Sequence, residues 1–306
     1  MGRSVDEFRE EFGCCVATIG NFDGVHLGHR EMLSRLKRKS EQLNCPALLI
    51  TFDPHPSSVL YPGRAPALLS TLKKKLSLLE ECGLDGALVV EFTLQFAQHG
   101  PRDFVEDVLL PLKVRELYVG HDFHFGSGRS GNVNSLAHEG KVHDFGVYEI
   151  SEVIVDGERV RSSLIRRLIS EGDVEKAARL LARQHSVSGI VKKGAGRGKT
   201  LGFPTGNLGE LVEAVPGAGI YATRTKWKGK LYDSATHVGV IPTFDVDVPG
   251  IETHLFDFNE DLLGKELEIS FYKKLRETQR YDSVDDLKEQ IRMDCENAKK
   301  VLSNIP

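Results

Sequence analysis

The sequence predicts an α/β protein in two parts, an open domain built on a mostly parallel sheet and a small β-barrel closed by one helix. Three observations carry this reading. Short apolar runs alternate with amphipathic stretches through the first half, the rhythm of βαβ units. Near His185 that rhythm gives way to short β-rich runs between glycines and prolines. The length, 306 residues, is enough for two cores of ordinary domain size.

In order along the chain, CVATIG (15–20) is the first strand, followed by a helix from about Leu27 to Leu43 and the strand PALLIT (46–51). A helix near 70–83 leads to the strand GALVVEF (86–92), and another opens at Pro101. The strand VRELYVG (114–120), a glycine-rich loop and the strand GVYEI (146–150) complete a sheet that helices cover. Two helical segments, about 162–171 and 173–183, are split by Gly172. The boundary lies near His185, dividing the chain into domains 1–184 and 185–306. Beyond it, HSVSGIV (185–191), GIYATRTKW (219–227), KLYDSATHVGV (230–240), ETHLFDF (252–258) and ELEISFYKK (266–274) are strands of a small barrel. The last helix follows Ser283: Leu287, Ile291, Ala298 and Leu302 repeat at helical spacing, with acids in the first turn and lysines near the end.

Composition excludes several classes. Forty Lys and Arg against 44 Asp and Glu give a net charge of −4, which argues against a nucleic-acid partner. No apolar run approaches the ~20 residues of a membrane span, and the acidic start MGRSVDEFREEFG lacks the regions of a signal peptide. The expectation is a cytoplasmic protein with small-molecule partners, no membrane partner and no signal for an oligomeric state. Cys14, Cys15, Cys45, Cys82 and Cys295 are odd in number, lack CxxC spacing and include an adjacent pair that could hardly bridge. They predict neither a disulfide nor a zinc cage, and Cys14 and Cys15 read as small apolar residues beside the first strand.

The first constellation is TIGNFDGVHLGHR (18–30), where a strand ends and a helix begins, with His26 and His29 around Gly28. A helix N-terminus offers free N–H groups and a positive dipole end, and Gly28 lets a phosphate approach the main chain. Two imidazoles there suit charge developing on a bridging phosphoryl oxygen. Gly20, Asn21, Phe22 and Gly28 are the candidate ATP-binding positions. These residues resemble the HxGH nucleotidylyltransferase superfamily, which implies a Rossmann-like domain that joins a nucleoside monophosphate from ATP to a substrate phosphate. The superfamily's second signature corresponds to VRSSLIR (160–166), so Ser162 and Ser163 are implied phosphate ligands and Arg166 a catalytic charged fork; Arg161 replaces a serine.

Two loops, TFDPHP (51–56) and GHDFHFGSGRSG (120–131), resemble the flavin-binding segments of bacterial FMN adenylyltransferases. The resemblance implies flavin contacts at Phe52, His55, Pro56, Asp122 and Phe123, with His124 where arginine is common. A flat apolar ring with a polar edge calls for both kinds of contact. Between Glu158 and Lys199 eleven Lys and Arg face four acids, a local excess suited to polyphosphates. Lys176, Arg179 and Arg183 within it are read as solvated helix faces.

The second constellation is GIVKKGAGRGKTLGFPTGNL (189–208), a glycine-rich segment without a Walker pattern. Its glycines let backbone N–H groups wrap phosphates, with Gly194, Gly198 and Lys199 as candidate ATP contacts. Thr205 and Asn207, two apart on an extended chain, point the same way and offer oxygens to Mg²⁺. GFPTGN resembles the riboflavin kinase pattern, in which alanine stands at Gly206 and an arginine is frequent at Lys199. VGVIPTF (238–244), ETHLFDFNEDLLG (252–264) and the LRE of 273–283 match the same family. That resemblance implies Glu252 as general base and Arg276 at the flavin, while Leu263 and Tyr281 depart from the pattern.

Over about 14–300 the two halves occur in the order of the bifunctional bacterial FAD synthetases. This implies a Mg²⁺-dependent, ATP-using transferase that phosphorylates riboflavin to FMN and then adenylylates FMN to FAD, releasing pyrophosphate. Two other readings fit parts of the pattern. One is a nucleotidylyltransferase for another phosphate, such as phosphopantetheine or a cytidylyl acceptor, with an accessory barrel; GFPTGN and Glu252 argue against it. The other is a flavin-binding regulator without turnover, against which His26, His29, Thr205, Asn207 and Glu252 all stand.

Overall fold

The computed structural model describes residues 13–193, 202–242 and 247–305. Two compact units emerge, one from 13–66 with 71–161, the other from 67–70 with 162–305.

In the first unit, β1 (Cys15–Ile19), β2 (Ala47–Asp53), β3 (Gly86–Glu91), β4 (Val114–Gly120) and β5 (Gly146–Ile150) form a parallel sheet ordered β3-β2-β1-β4-β5. All five residues of β1 are buried, as a central strand covered on both faces requires. The helices α1 (Leu27–Leu43), α2 (Leu72–Glu81) and α3 (Val133–Val142) belong to the connections. On α1, Met32, Leu33 and Leu36 turn inward at helical spacing, and Asn44 ends the helix in the left-handed conformation that asparagine tolerates. The helix expected at Pro101 runs only to Phe104 before widening into a π-turn over Val105–Leu109, which sends Val105, Val108 and Leu109 into the core.

The second unit begins with α4 (Ser162–Glu171) and α5 (Val174–Leu181). Its barrel closes as β6-β7-β10-β9-β8-β11, from β6 (His185–Lys192), β7 (Gly206–Gly209), β8 (Gly219–Trp227), β9 (Lys230–Pro242), β10 (Asp247–Leu255) and β11 (Glu266–Arg276). Each of its six strands pairs with two neighbours. Val187, Val191, Leu208, Tyr221, Ile251, Leu267 and Phe271 fill the interior, and Val174 of α5 packs on the same cluster. The interior also holds five buried hydroxyls, of Thr223, Thr225, Ser234, Thr236 and Thr253, which bond to one another at 2.7–3.4 Å and so carry no desolvation debt. The last helix, α6 (Val284–Ser303), is capped by Ser283 and lays Ala298 and Leu302 beside Ala222 and Phe256 of the barrel.

Two strand expectations need correction. β7 arises from Gly-Asn-Leu-Gly, a string without β-propensity, because β6 and β10 supply its ladder on both sides. The strand expected at 252–258 lies at Asp247–Leu255, since its pairing to β9 runs from Asp247 opposite Pro242 to Leu255 opposite Ser234.

The cysteine expectation is overturned as well. Cys14 and Cys45 form a disulfide with their Cα atoms 5.7 Å apart. Parallel pairing sets Val16 against Ala47, so the residues two positions earlier on each chain stand opposite one another. Neither sequence spacing nor cysteine count carries that register.

Candidate active sites

In the first unit the phosphate-type turn sits at the C-terminal end of the central strand, where open α/β sheets bind ligands. Phe22, Gly24 and Val25 adopt positive φ, and this coil returns the chain so that His26 becomes the N-cap of α1. The His29 N–H donates to His26 Nδ1 at 3.3 Å, which leaves the His26 proton on Nε2. The two imidazoles stack with centroids 3.6 Å apart, and Phe22, only 3% exposed, stacks on the far side of His29 at 4.5 Å. Phe22 is thus the floor under His29. Gly28 leaves room for the same packing: a Cβ there would crowd the His26 ring at 3.2 Å. Gly20 likewise lies under the Phe22 ring, at 3.2 Å from an added Cβ.

His29 has its pKa held well below the ordinary 6.5, first by burial and then by His26 and Lys75. The His29 ring is therefore neutral at neutral pH. A buried positive charge near the turn comes from Lys75, which no sequence pattern singles out. Its side chain is buried in α2 at 7% exposure, and Nζ donates to the Asn21 carbonyl at 3.1 Å and to Thr51 Oγ1 at 3.0 Å. Burial lowers its pKa while Asp23 and Asp53 hold it up, so the ammonium ties the GNFDG turn to the TFDPHP loop.

Phe52 ends β2 within an aromatic group, 5.7 Å from Phe92 and 6.0 Å from Phe96. His55 caps the one-turn helix Pro56–Leu60 through Nδ1, with Pro56 in the first position. Asp122 lies exposed after β4, 3.7 Å from an Arg159 nitrogen, and Phe123 stacks on Phe125 at 5.5 Å. At His124, where the related pattern has arginine, the ring Nδ1 lies 3.2 Å from the guanidinium of Arg129. The same Nδ1 lies 2.9 Å from the Asp122 carbonyl, on a loop whose Gly126 could take no side chain because Pro101 N lies 2.8 Å from its Cβ position.

The second unit holds the remaining positions. Ser162 opens α4, Ser163 follows exposed, and Arg166 one turn later donates through Nε to the Ala67 carbonyl at 2.7 Å. On the barrel, Asn207 of β7 stands directly opposite Glu252 of β10, and Glu252 opposite His237 of β9. Directly opposed residues share a face, and the buried neighbours Gly206, Leu208, Ile251 and Thr253 put that shared face outside the barrel. Thr205 is half-buried like Asn207, one residue before the strand. The segment is pinned by His254, whose Nδ1–H donates to the Pro204 carbonyl at 2.8 Å. His237 has its pKa lowered chiefly by burial, with Glu252 acting in the opposite sense.

Arg276, expected at the flavin, gives its fork to Asp294 of α6 at 2.9 and 2.7 Å. Asp294 is 4% exposed, so this pair fastens the last helix to β11. Leu263 is exposed, and Gly194, Gly198 and Lys199 lie outside the described residues.

Comparison with known proteins finds a different family on each part of the chain. A FAD synthetase family model matches residues 9–164, and a riboflavin kinase model matches residues 181–302. The bifunctional riboflavin kinase/FMN adenylyltransferases of Haemophilus influenzae and Escherichia coli K12 are each 36% identical, over 93% and 92% of this chain and 93% and 90% of theirs. That of Bacillus subtilis is 33% identical over 97% of this chain and 95% of its own. A crystal structure of a Streptococcus pneumoniae protein described as a macrolide-efflux protein superposes with a TM-score of 0.84 at 26% identity, covering 94% of both chains. Among the described residues no helix is long and apolar enough to cross a membrane. With relatives aligned along nearly their whole length and one family model falling on each half, the chain belongs to the family of bifunctional riboflavin kinases/FMN adenylyltransferases.

Proposed function

We infer that this chain makes FAD in two ATP-dependent steps, phosphorylating riboflavin to FMN and adenylylating FMN to FAD with release of pyrophosphate. Membership of the family supports both reactions. The observation that carries the division of labour is the presence of two unlike phosphate-type arrangements, His26–His29 at a helix N-terminus and Asn207 opposite Glu252 on the barrel wall. The cytoplasm, where ATP and riboflavin meet, is the proposed place of action.

For the kinase step, Glu252 takes the proton of the riboflavin 5′-hydroxyl as it attacks the γ-phosphorus of ATP, and ADP leaves. Thr205 and Asn207 offer a hydroxyl and a carboxamide oxygen beside that carboxylate, a neutral hard-oxygen pair that fits Mg²⁺ with several waters retained. Bound there, Mg²⁺ would offset charge on the transferring phosphoryl group. Gly194, Gly198 and Lys199, outside the described residues, are proposed as contacts to ATP.

For the adenylyl step, the FMN phosphate is already an anion near neutral pH and needs no general base. It attacks the α-phosphorus of a second ATP in line, and the bond to the bridging oxygen of pyrophosphate breaks. His26 and His29 donate hydrogen bonds as that oxygen gains charge, with burial holding His29 neutral. Fixed positive charge is assigned to Arg166, with Ser162 and Ser163 holding phosphate oxygens. The isoalloxazine is assigned to Phe52, His55, Pro56, Asp122 and Phe123, joined by Phe92 and Phe96. In the kinase site Arg276 is assigned an indirect part, holding the β11 end through Asp294.

The test is a time course with riboflavin, ATP and Mg²⁺, separating flavins by chromatography. FMN should rise and give way to FAD. His29→Ala should stop FAD formation and spare FMN formation, and Glu252→Ala should stop FMN formation while FAD still forms from added FMN. Loss of both activities in either folded variant would overturn the division.

A further inference from the structure

The Cys14–Cys45 disulfide lies at the N-terminal ends of β1 and β2, the opposite end of the sheet from His26 and His29. It lines a cavity of about 650 Å³ together with Arg115, Glu116, Lys141 and Asp144. The charges there are unequal in availability. Glu116 is engaged, 3.2 Å from Lys39 Nζ and accepting the Tyr118 hydroxyl at 2.8 Å, whereas Arg115 and Lys141 are exposed at the rim. Against them stands Asp144 alone, so the cavity favours an anion. Of the two sulfurs, that of Cys14 is on the half-buried residue and that of Cys45 on the buried one. A small nucleophile entering the cavity therefore meets Cys14 first.

We propose that Cys14–Cys45 is a thiol-exchange site for small thiols that carry carboxylates. The incoming thiolate attacks Cys14 Sγ, the S–S bond breaks, and its electron pair leaves on Cys45 Sγ, which takes up a proton. A second thiolate attacks the mixed disulfide at its small-molecule sulfur and releases Cys14 as a thiol. Overall, two thiols become one small disulfide and the protein gains two thiols. Arg115 and Lys141 receive the carboxylates, which raises the local thiol concentration. The neighbouring thiol of Cys15 does not scramble the pair: its residue is fully buried, it donates to the Leu112 carbonyl at 3.4 Å, and burial pushes its pKa up to about 12. In the cytoplasm proposed above, a disulfide is most often transient and redox-sensing.

The experiment uses the full-length protein equilibrated in glutathione buffers of graded reduced-to-oxidised ratio, quenched in acid, with each cysteine's state read by differential alkylation and mass spectrometry. Cys14 and Cys45 should titrate together as one couple, with Cys15 reactive only after unfolding. In Cys45→Ser, oxidised glutathione should leave its adduct on Cys14. Opening of the wild-type bridge by glutathione, relative to uncharged 2-mercaptoethanol, should slow by about fivefold in the Arg115→Ala/Lys141→Ala double variant, the weight of one surface charge pair. A pair that stays reduced in oxidised glutathione, or a bridge for which the double variant leaves the ratio of the two thiols unchanged, would overturn the proposal.

Discussion

Replacing Lys75 by methionine keeps the length and apolar stem of the side chain and removes only the ammonium. The ammonium donates at 3.0 Å to the Thr51 hydroxyl on β2 and at 3.1 Å to the Asn21 carbonyl in the turn after β1. Hydrogen bonds from a charged group contribute about 1.5–3 kcal/mol each, and the desolvation of a buried charge offsets much of that sum. One acceptor stays partly satisfied, because the Thr51 hydroxyl itself donates to the Asn21 carbonyl at 3.3 Å. A net loss of about 2 kcal/mol is expected. If that loss falls on the geometry of the GNFDG turn, FAD formation slows by about thirtyfold, at about 1.4 kcal/mol per decade. FMN formation from riboflavin, assigned to the barrel, should change by less than about twofold. Urea unfolding followed by circular dichroism, with separate assays of the two steps, measures both numbers. Lys75→Met protein that is folded and makes FAD at the wild-type rate would refute the positioning argument, as would equal loss of both activities.

Three further predictions follow from the geometry. His29 has a folded pKa well below 6.5, so the unfolded chain takes up its proton first; stability complete above pH 6.5 should fall as acid is added, by up to about 1.4 kcal/mol per pH unit from this residue. Urea midpoints at descending pH should show a shallower fall in His29→Asn, and identical slopes would sink the idea. Gly206→Ala should raise stability by about 0.4–1 kcal/mol, since the new methyl would meet Val191 at 3.5 Å and Leu267 at 3.7 Å, ordinary contacts; a lower melting temperature would contradict this. Arg129→Ala should raise the KM for FMN in the adenylyl step by about tenfold, with kcat less affected, if its guanidinium serves in place of the arginine absent at 124. An unchanged KM would assign Arg129 to loop structure alone.

How far the sequence foretold this depended on whether a feature was local. His26 and His29 are spaced by the helix they open, and their pairing was legible from GVHLGH. The strands β1, β2 and β3 were legible because a buried parallel strand is a largely continuous apolar run. Lys75 was not, because it is the third of three consecutive lysines on an amphipathic helix, and only the packing of α2 decides which one is buried. β7 was hidden by its own glycines, and its identity came from ladders on both sides. The opposition of Asn207 and Glu252 depends on the register between residues far apart in the chain, as does the Cys14–Cys45 bond. Arg276 illustrates the converse: its position in the chain was legible, but the acidic partner that takes its fork lies on another element.

The two units also differ in how they end. In the barrel each strand pairs with two neighbours, whereas the parallel sheet terminates in two outer strands, β3 and β5. On β5 the exposed Tyr148 and Glu149 alternate charge with apolar surface, and β3 ends in Glu91, features that discourage a foreign strand from joining. When the protein is heated or overproduced, self-association by strand addition therefore starts on the adenylylating half. A solubility screen would gain most from added charge along β3 and β5 and least from any change on the barrel wall.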